Sequence, residues 1–148
     1  MNRFLIILLV LVGVLTRLIP HPPNFTPVLS VALLSGVYFK NRFSILIPIL
    51  IMLFSDLIIG GHLTTLWVYS SVLIVFLIGF YMIKEQTIKN VMISSVVGSL
   101  VFFFVTNFGV WLIGYPNNLS GFIACYVAAI PFYKNTLLSA LLYSGIIH

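Results

Sequence analysis

Negative charge is almost missing from this chain: Asp56 and Glu85 are the only acidic side chains among 148 residues. Two carboxylates so far apart in sequence offer no paired-acid chemistry of the glycosidase kind. Charged residues of both signs make up 6% of the sequence, against about 25% in an ordinary soluble domain. A soluble chain of this size would have too few polar side chains to cover its surface. Cysteine is reduced to Cys125. An internal disulfide and any C-x-x-C redox or zinc spacing are therefore excluded, and a lone cysteine reads as a small buried hydrophobe. G-x-S-x-G, H-E-x-x-H and the Walker lysine motif are also absent. The expectation is a protein that is not an enzyme, needs no cofactor or metal, and carries no ATPase of its own.

What fills the chain is apolar: 61% of residues. Runs of this kind extend over Phe4–Ile19, Val28–Phe39, Phe43–Ile59, Leu66–Ile83, Val91–Ile113, Phe122–Pro131 and Leu137–Ile147. A helix needs about 20 residues to cross the hydrocarbon of a bilayer, with about 17 as the lower end. The first, third, fourth and fifth runs reach that length alone or nearly so. The second does so if its helix begins near Phe25 and ends near Lys40. MNRFLIILLVLVGVLTR resembles a signal peptide, but no small-x-small cleavage site follows, so it reads as a retained first span. The fold expected is an all-α membrane protein, one domain over residues 1–148, in a compact bundle of about six transmembrane helices.

The net charge of +5 does not point to nucleic acid. Arg3, Arg17, Lys40, Arg42, Lys84, Lys89 and Lys134 are scattered at segment ends, where membrane topology accounts for them. Most of these fall on one side if the first four runs cross in succession, which places the N-terminus in the cytoplasm. The end of the chain has two readings. Phe122–Pro131 is a re-entrant segment before a sixth crossing, or it crosses fully and makes seven; its length favours six. Ala32 with Gly36, and Ser94, Ser95, Gly98 and Ser99, form small-residue faces suited to close helix packing. Pro48 is placed to kink the third span.

Polar residues collect at the predicted outer ends: Arg17, His21, Asn24, Asp56, His62, Asn107, Tyr115, Asn117, Asn118 and Asn135. Asp56, near a helix end in LFSDLIIGG, needs a partner at that depth. Arg17 stands at the matching depth and serves either as a helix-joining partner or, with Asp56, as a ligand contact. Pro20, Pro22, Pro23 and Pro27 enforce a stiff connection that displays His21 and Asn24. It reads as a rigid external connector or as a lid. His21 and His62 with Asp56 lack zinc-motif spacing. Trp67, Tyr69, Trp111 and Tyr115 read as an interfacial aromatic belt. Alternatively Trp67 and Trp111, with Phe108, stack on a flat ligand. The candidate substrate-binding set is Arg17, His21, Asn24, Asp56, His62, Asn107, Trp111 and Asn135.

P-H-P-P-N-F-T-P, F-S-D-L-I-I-G-G-H, N-F-G-V-W and A-I-P-F-Y-K-N-T-L together span most of the chain. They resemble an uncharacterised family of small bacterial integral membrane proteins of the inner membrane. More distantly, the chain resembles the S components of energy-coupling-factor transporters. That likeness implies a six-helix capsule binding a vitamin or metal ion near the outer face, with Arg17–Pro27 as a gating connector. It also implies docking through alanine-rich faces onto a membrane coupling subunit attached to ATPases. The first span lacks the A-x-x-x-A docking motif, and Ala32 with Gly36 is the candidate substitute. Three functions follow. A substrate-binding subunit for uptake of a small metabolite or micronutrient predicts an enclosed cavity. A non-catalytic structural or assembly protein predicts a filled polar helix–helix seam. A self-sufficient channel needs a continuous polar path, which the apolar cytoplasmic halves oppose.

Overall fold

The computed structural model of the chain describes residues 3–148, and of Arg3 and Leu5 the backbone alone. Six α-helices follow in order: α1 (Arg3–Leu18), α2 (Val28–Phe39), α3 (Leu46–Ile59), α4 (Thr65–Leu77), α5 (Ile88–Gly114) and α6 (Leu119–Ile147). A 3-10 turn at Arg42–Ile45 leads into α3, and a π turn at Ile78–Met82 continues α4. Among the described residues, four stretches are long and apolar enough to cross a membrane: Arg42–Ile59, Thr65–Met82, Ile88–Gly114 and Leu119–Ile147. α1 and α2 fall short of that length. The expected six helices form, then, but four rather than six have the length of a full span.

α2 is short because proline stops it. Pro27 is its N-cap residue, and a residue that precedes proline is pushed out of the helical region. A start near Phe25 is thereby blocked. At 1.5 Å per residue the helix covers about 18 Å, yet ten of its twelve residues are buried. α2 is the central element, touching α3, α4, α5 and α6, whereas α1 packs mainly on α3. Its close fit to α4 depends on glycine. A Cβ at Gly36 would meet the Phe76 carbonyl at 2.5 Å, and one at Gly79 would meet the Leu33 carbonyl at 2.1 Å. The small pair Ala32 and Gly36 is thus spent inside the bundle, with Ala32 fully buried. It offers no surface for a coupling subunit.

The end of the chain departs from both expected arrangements. α6 runs unbroken through Phe122–Pro131 and Leu137–Ile147, so neither a re-entrant segment nor a seventh crossing forms. Pro131 lies inside the helix; it removes one donor, a local loss that long apolar helices tolerate. Lys134 and Asn135 ride on the helix instead of marking a loop. Pro48 also acts differently from expectation. It occupies the first turn of α3, where a missing N–H has no intrahelical partner to lose, so no mid-span kink is required.

Two ends of the bundle can be told apart. At one, Lys40 turns back with φ 44°, and its Nζ donates to the carbonyls of Gly79, Phe80 and Ile83 at 3.4, 3.1 and 2.8 Å. Gln86 donates to the Val37 carbonyl at 3.2 Å, and the Tyr38 hydroxyl meets the His148 ring. Between α2, α5 and α6, buried serines supply the polar contacts: Ser144 donates to Ser30 at 3.0 Å, and Ser95 meets Ser144 at 2.8 Å. Arg17, Asp56 and the proline segment occupy the other end. The perimeter is apolar and unshielded, with Leu57 73% and Leu119 75% exposed. Lipid is the solvent that such a surface fits.

Candidate functional site

A polar seam joins α1, α3 and α4 at the Arg17 end. Arg17 closes α1, where a cation suits the helix dipole; Asp56 lies in the last turn of α3, where an anion does not. Each corrects the other: Arg17 Nη2 lies 2.9 Å from Asp56 Oδ1, with the side chains 15% and 11% exposed. Arg17 Nη1 donates to the Met52 carbonyl at 3.3 Å and to the Ser55 hydroxyl. Ser55 donates in turn to the Ile51 carbonyl at 2.6 Å. From α4, the Tyr69 hydroxyl donates to Asp56 Oδ2 at 3.0 Å. Both carboxylate oxygens are therefore engaged within the seam.

Beside the seam lies a basin, and its origin is the shortness of α2. Above Val28 no helix fills the bundle; the strap of residues 19–27 crosses there instead. Asn135 Nδ2 donates to the Pro23 carbonyl at 3.1 Å, and Ser139 Oγ lies 3.3 Å from the Asn24 carbonyl. Both partners sit in the C-terminal half of α6, so the proline segment, exposed over residues 19–24, is tied to that helix. Asn24 takes φ 63° in this segment, a conformation that asparagine tolerates.

The first lobe of the basin holds about 500 Å³ and is lined by Arg17, His21, Asn24, Thr26, His62 and Thr136, over a floor that includes Val28 and Leu29. A second lobe of about 260 Å³ shares Asn24, His62, Phe102 and Thr136 and adds Asn107, Phe103, Phe132 and Tyr133. The shared residues set the two lobes side by side. Its hydrogen-bonding sense follows from its neighbours. His21 Nδ1 lies 2.7 Å from the Ile19 carbonyl; a carbonyl only accepts, so that nitrogen carries a proton. His62 Nδ1 is 3.0 Å from Thr64 Oγ1. The other nearby hydroxyl, on Thr65, already donates to the His62 carbonyl at 2.6 Å. Thr64 Oγ1 and His62 Nδ1 therefore form a hydrogen bond in which either group can donate, according to the His62 tautomer.

Five of the eight candidate residues line this basin: Arg17, His21, Asn24, His62 and Asn107. Three do not. Asp56 is turned into the seam, because the nearest cation and hydroxyl lie there. Trp111 packs between Phe108 and Phe122 at 5.5 and 5.3 Å, and its Nε1 donates to the Pro116 carbonyl, bracing the α5–α6 turn. Asn135 is consumed in holding the strap. Trp67 stands edge-on to Phe108 at 5.3 Å and covers Gly109, and none of Trp67, Phe108 and Trp111, the rings expected to stack on a flat ligand, lines the basin. Tyr69 reads as a belt residue from sequence but is the second partner of Asp56. Its signal was a phenol within an apolar run, which needs a partner when buried. Thr136, Phe103, Phe132 and Tyr133 carried no signal apart from their helices. No group of three or more His, Cys, Asp or Glu side chains able to hold a metal ion occurs among the described residues.

Residues 1–148 match a family described as a family of unknown function, DUF6580. The chain belongs to this family. No curated protein and no solved structure matches it. Membership in DUF6580 therefore agrees with the expected uncharacterised membrane family, and none of the comparisons ties the chain to energy-coupling-factor S components. What the structure adds for this DUF6580 member is a helical membrane-associated bundle with an internal polar network.

Proposed function

We propose that this DUF6580 protein is a non-catalytic membrane protein whose polar helix–helix seam holds a strapped, open-ended bundle in register. The observation that carries this reading is the closed network of Arg17, Ser55, Asp56 and Tyr69 across three helices. No buried side-chain nitrogen or oxygen is left without a partner among the described residues. A double-mutant cycle tests it. Asp56→Ala leaves an unpaired cation and lowers stability in detergent by about 2–4 kcal/mol. Combined with Arg17→Ala, the loss is smaller than the sum of the two single effects. Additive losses would reject the bracing role.

A second reading, a substrate-binding subunit for uptake, is favoured by the basin beside the seam. A depression of this volume with apolar walls and a few convergent polar groups has the makeup of a small-molecule site. With the N-terminus in the cytoplasm of a bacterial inner membrane, as the basic residues prescribe, the basin opens outward. Concentrative uptake then requires a partner that supplies ATP hydrolysis, docked on a face other than the buried Ala32–Gly36 pair. Native mass spectrometry of gently purified protein tests this reading. A small molecule retained by the native protein and lost when His62→Trp fills the junction of the lobes supports it. The same adduct on both proteins rejects the basin as its site.

A further inference from the structure

We infer that the basin is selective for a molecule with an acidic group attached to a flat ring, an aromatic or heteroaromatic carboxylate. The inference rests on the binding-subunit reading above and narrows its ligand. Electrostatics decide the first half. Of the two carboxylates in the chain, Asp56 has both oxygens engaged by Arg17 and Tyr69, and Glu85 lines a separate depression with Lys84 and Asn90. Neither lines the basin, whereas Arg17, His21 and His62 do. Arg17 has five N–H donors, and its contacts to Met52, Ser55 and Asp56 use three. The remaining N–H donors of Arg17 suit a carboxylate, with charge assistance from the guanidinium, and His62 lines the same lobe. A cationic ligand would meet the Arg17 guanidinium and no carboxylate on the basin's lining. Asp56, turned into the seam, is not placed to recruit a cation there.

Shape decides the second half. Across Asn24, His62 and Thr136 the first lobe adjoins one lined by Phe102, Phe103, Phe132 and Tyr133 together with Thr64, Thr106 and Asn107. Phe103 and Tyr133 pack with centroids 5.0 Å apart and planes at 55°, presenting ring faces and edges from two helices. Aromatic surfaces so arranged favour a planar ring over a puckered or flexible one. The two adjoining lobes, one holding the Arg17 guanidinium and the other four aromatic rings, match one ligand with those two ends.

The experiment uses the full chain in detergent and four probes: 2-naphthoate, 2-naphthamide, 2-naphthamidine and decahydro-2-naphthoate. Binding is read by ligand-detected NMR and by thermal shift. The expected order places 2-naphthoate at least tenfold tighter than the amidine and severalfold tighter than the saturated acid. His62→Ala narrows the gap between acid and amide. Phe132→Leu narrows the gap between naphthoate and its saturated analogue, with helical content unchanged by circular dichroism. Equal or tighter binding of the amidine or the saturated acid overturns the inference and leaves a binding basin standing. Absence of saturable binding by all four probes, or binding unaltered in His62→Trp, overturns the inference and withdraws support from the binding-subunit reading.

Discussion

Asp56 shows how far a single side chain can be read from sequence. A carboxylate in an apolar run must find a cation or donors, because its desolvation is otherwise uncompensated, and Arg17 was identifiable as the partner. The second donor was not. Tyr69 reaches Asp56 only because the α3–α4 hairpin sets both side chains at one level, a register fixed by packing and not by spacing. Replacing Tyr69 by Phe removes one hydrogen bond to a charged acceptor and keeps the ring. Stability is expected to fall by about 1.5–3 kcal/mol in thermal or denaturant unfolding. No change would mean that Tyr69 is a bystander to the ion pair.

At the level of elements, α2 packs closely on α4 and the π turn that continues it. A Cβ at Gly79 would meet the Leu33 carbonyl at 2.1 Å, whereas one at Gly114 would meet nothing within 4 Å. Gly79→Ala is therefore expected to cost about 1–3 kcal/mol through overpacking, with Gly114→Ala a near-neutral comparison in the same unfolding assay. Lys40 makes a second joint by satisfying three carbonyls around the π turn. Lys40→Met keeps most of the stem and loses these bonds. Faster amide exchange confined to Ile78–Ile83 is the outcome expected. Sequence spacing foresaw α1, α3, α4 and α5 closely. It misjudged α6, since Pro131 followed by Lys134 and Asn135 carries the marks of a break. The flanking helical residues and the packing on α5 outweigh one lost donor.

Over the whole molecule, the apolar perimeter and the two distinct ends define how it sits in a bilayer. Cys125 is buried, its Sγ 3.5 Å from the Asn107 carbonyl, so Cys125→Ala provides a background for labelling. Single cysteines at Lys84 and Ile147 are expected to react from one side, and those at Pro22 and Pro116 from the other. Label reaching Ile147 from the Pro116 side would contradict a single crossing by α6. Reaction of the Lys84 position from outside intact cells would reverse the orientation and turn the basin toward the cytoplasm.

Composition by itself determined the solvent: a chain with 6% charge and 61% apolar residues has to bury its surface in lipid, whatever its topology. Run length determined most helices, and the scarcity of acids determined that Asp56 would be paired. Tertiary structure alone decided where the empty space lies. The basin exists because prolines make α2 start late while α5 and α6 continue for about 40 Å, and a void is a property of several elements at once. Its walls come from residues far apart in sequence, including Arg17, His62, Phe103 and Tyr133. Which way Asp56 faces depended on the nearest donors in space, and no period or motif along the chain encodes that distance.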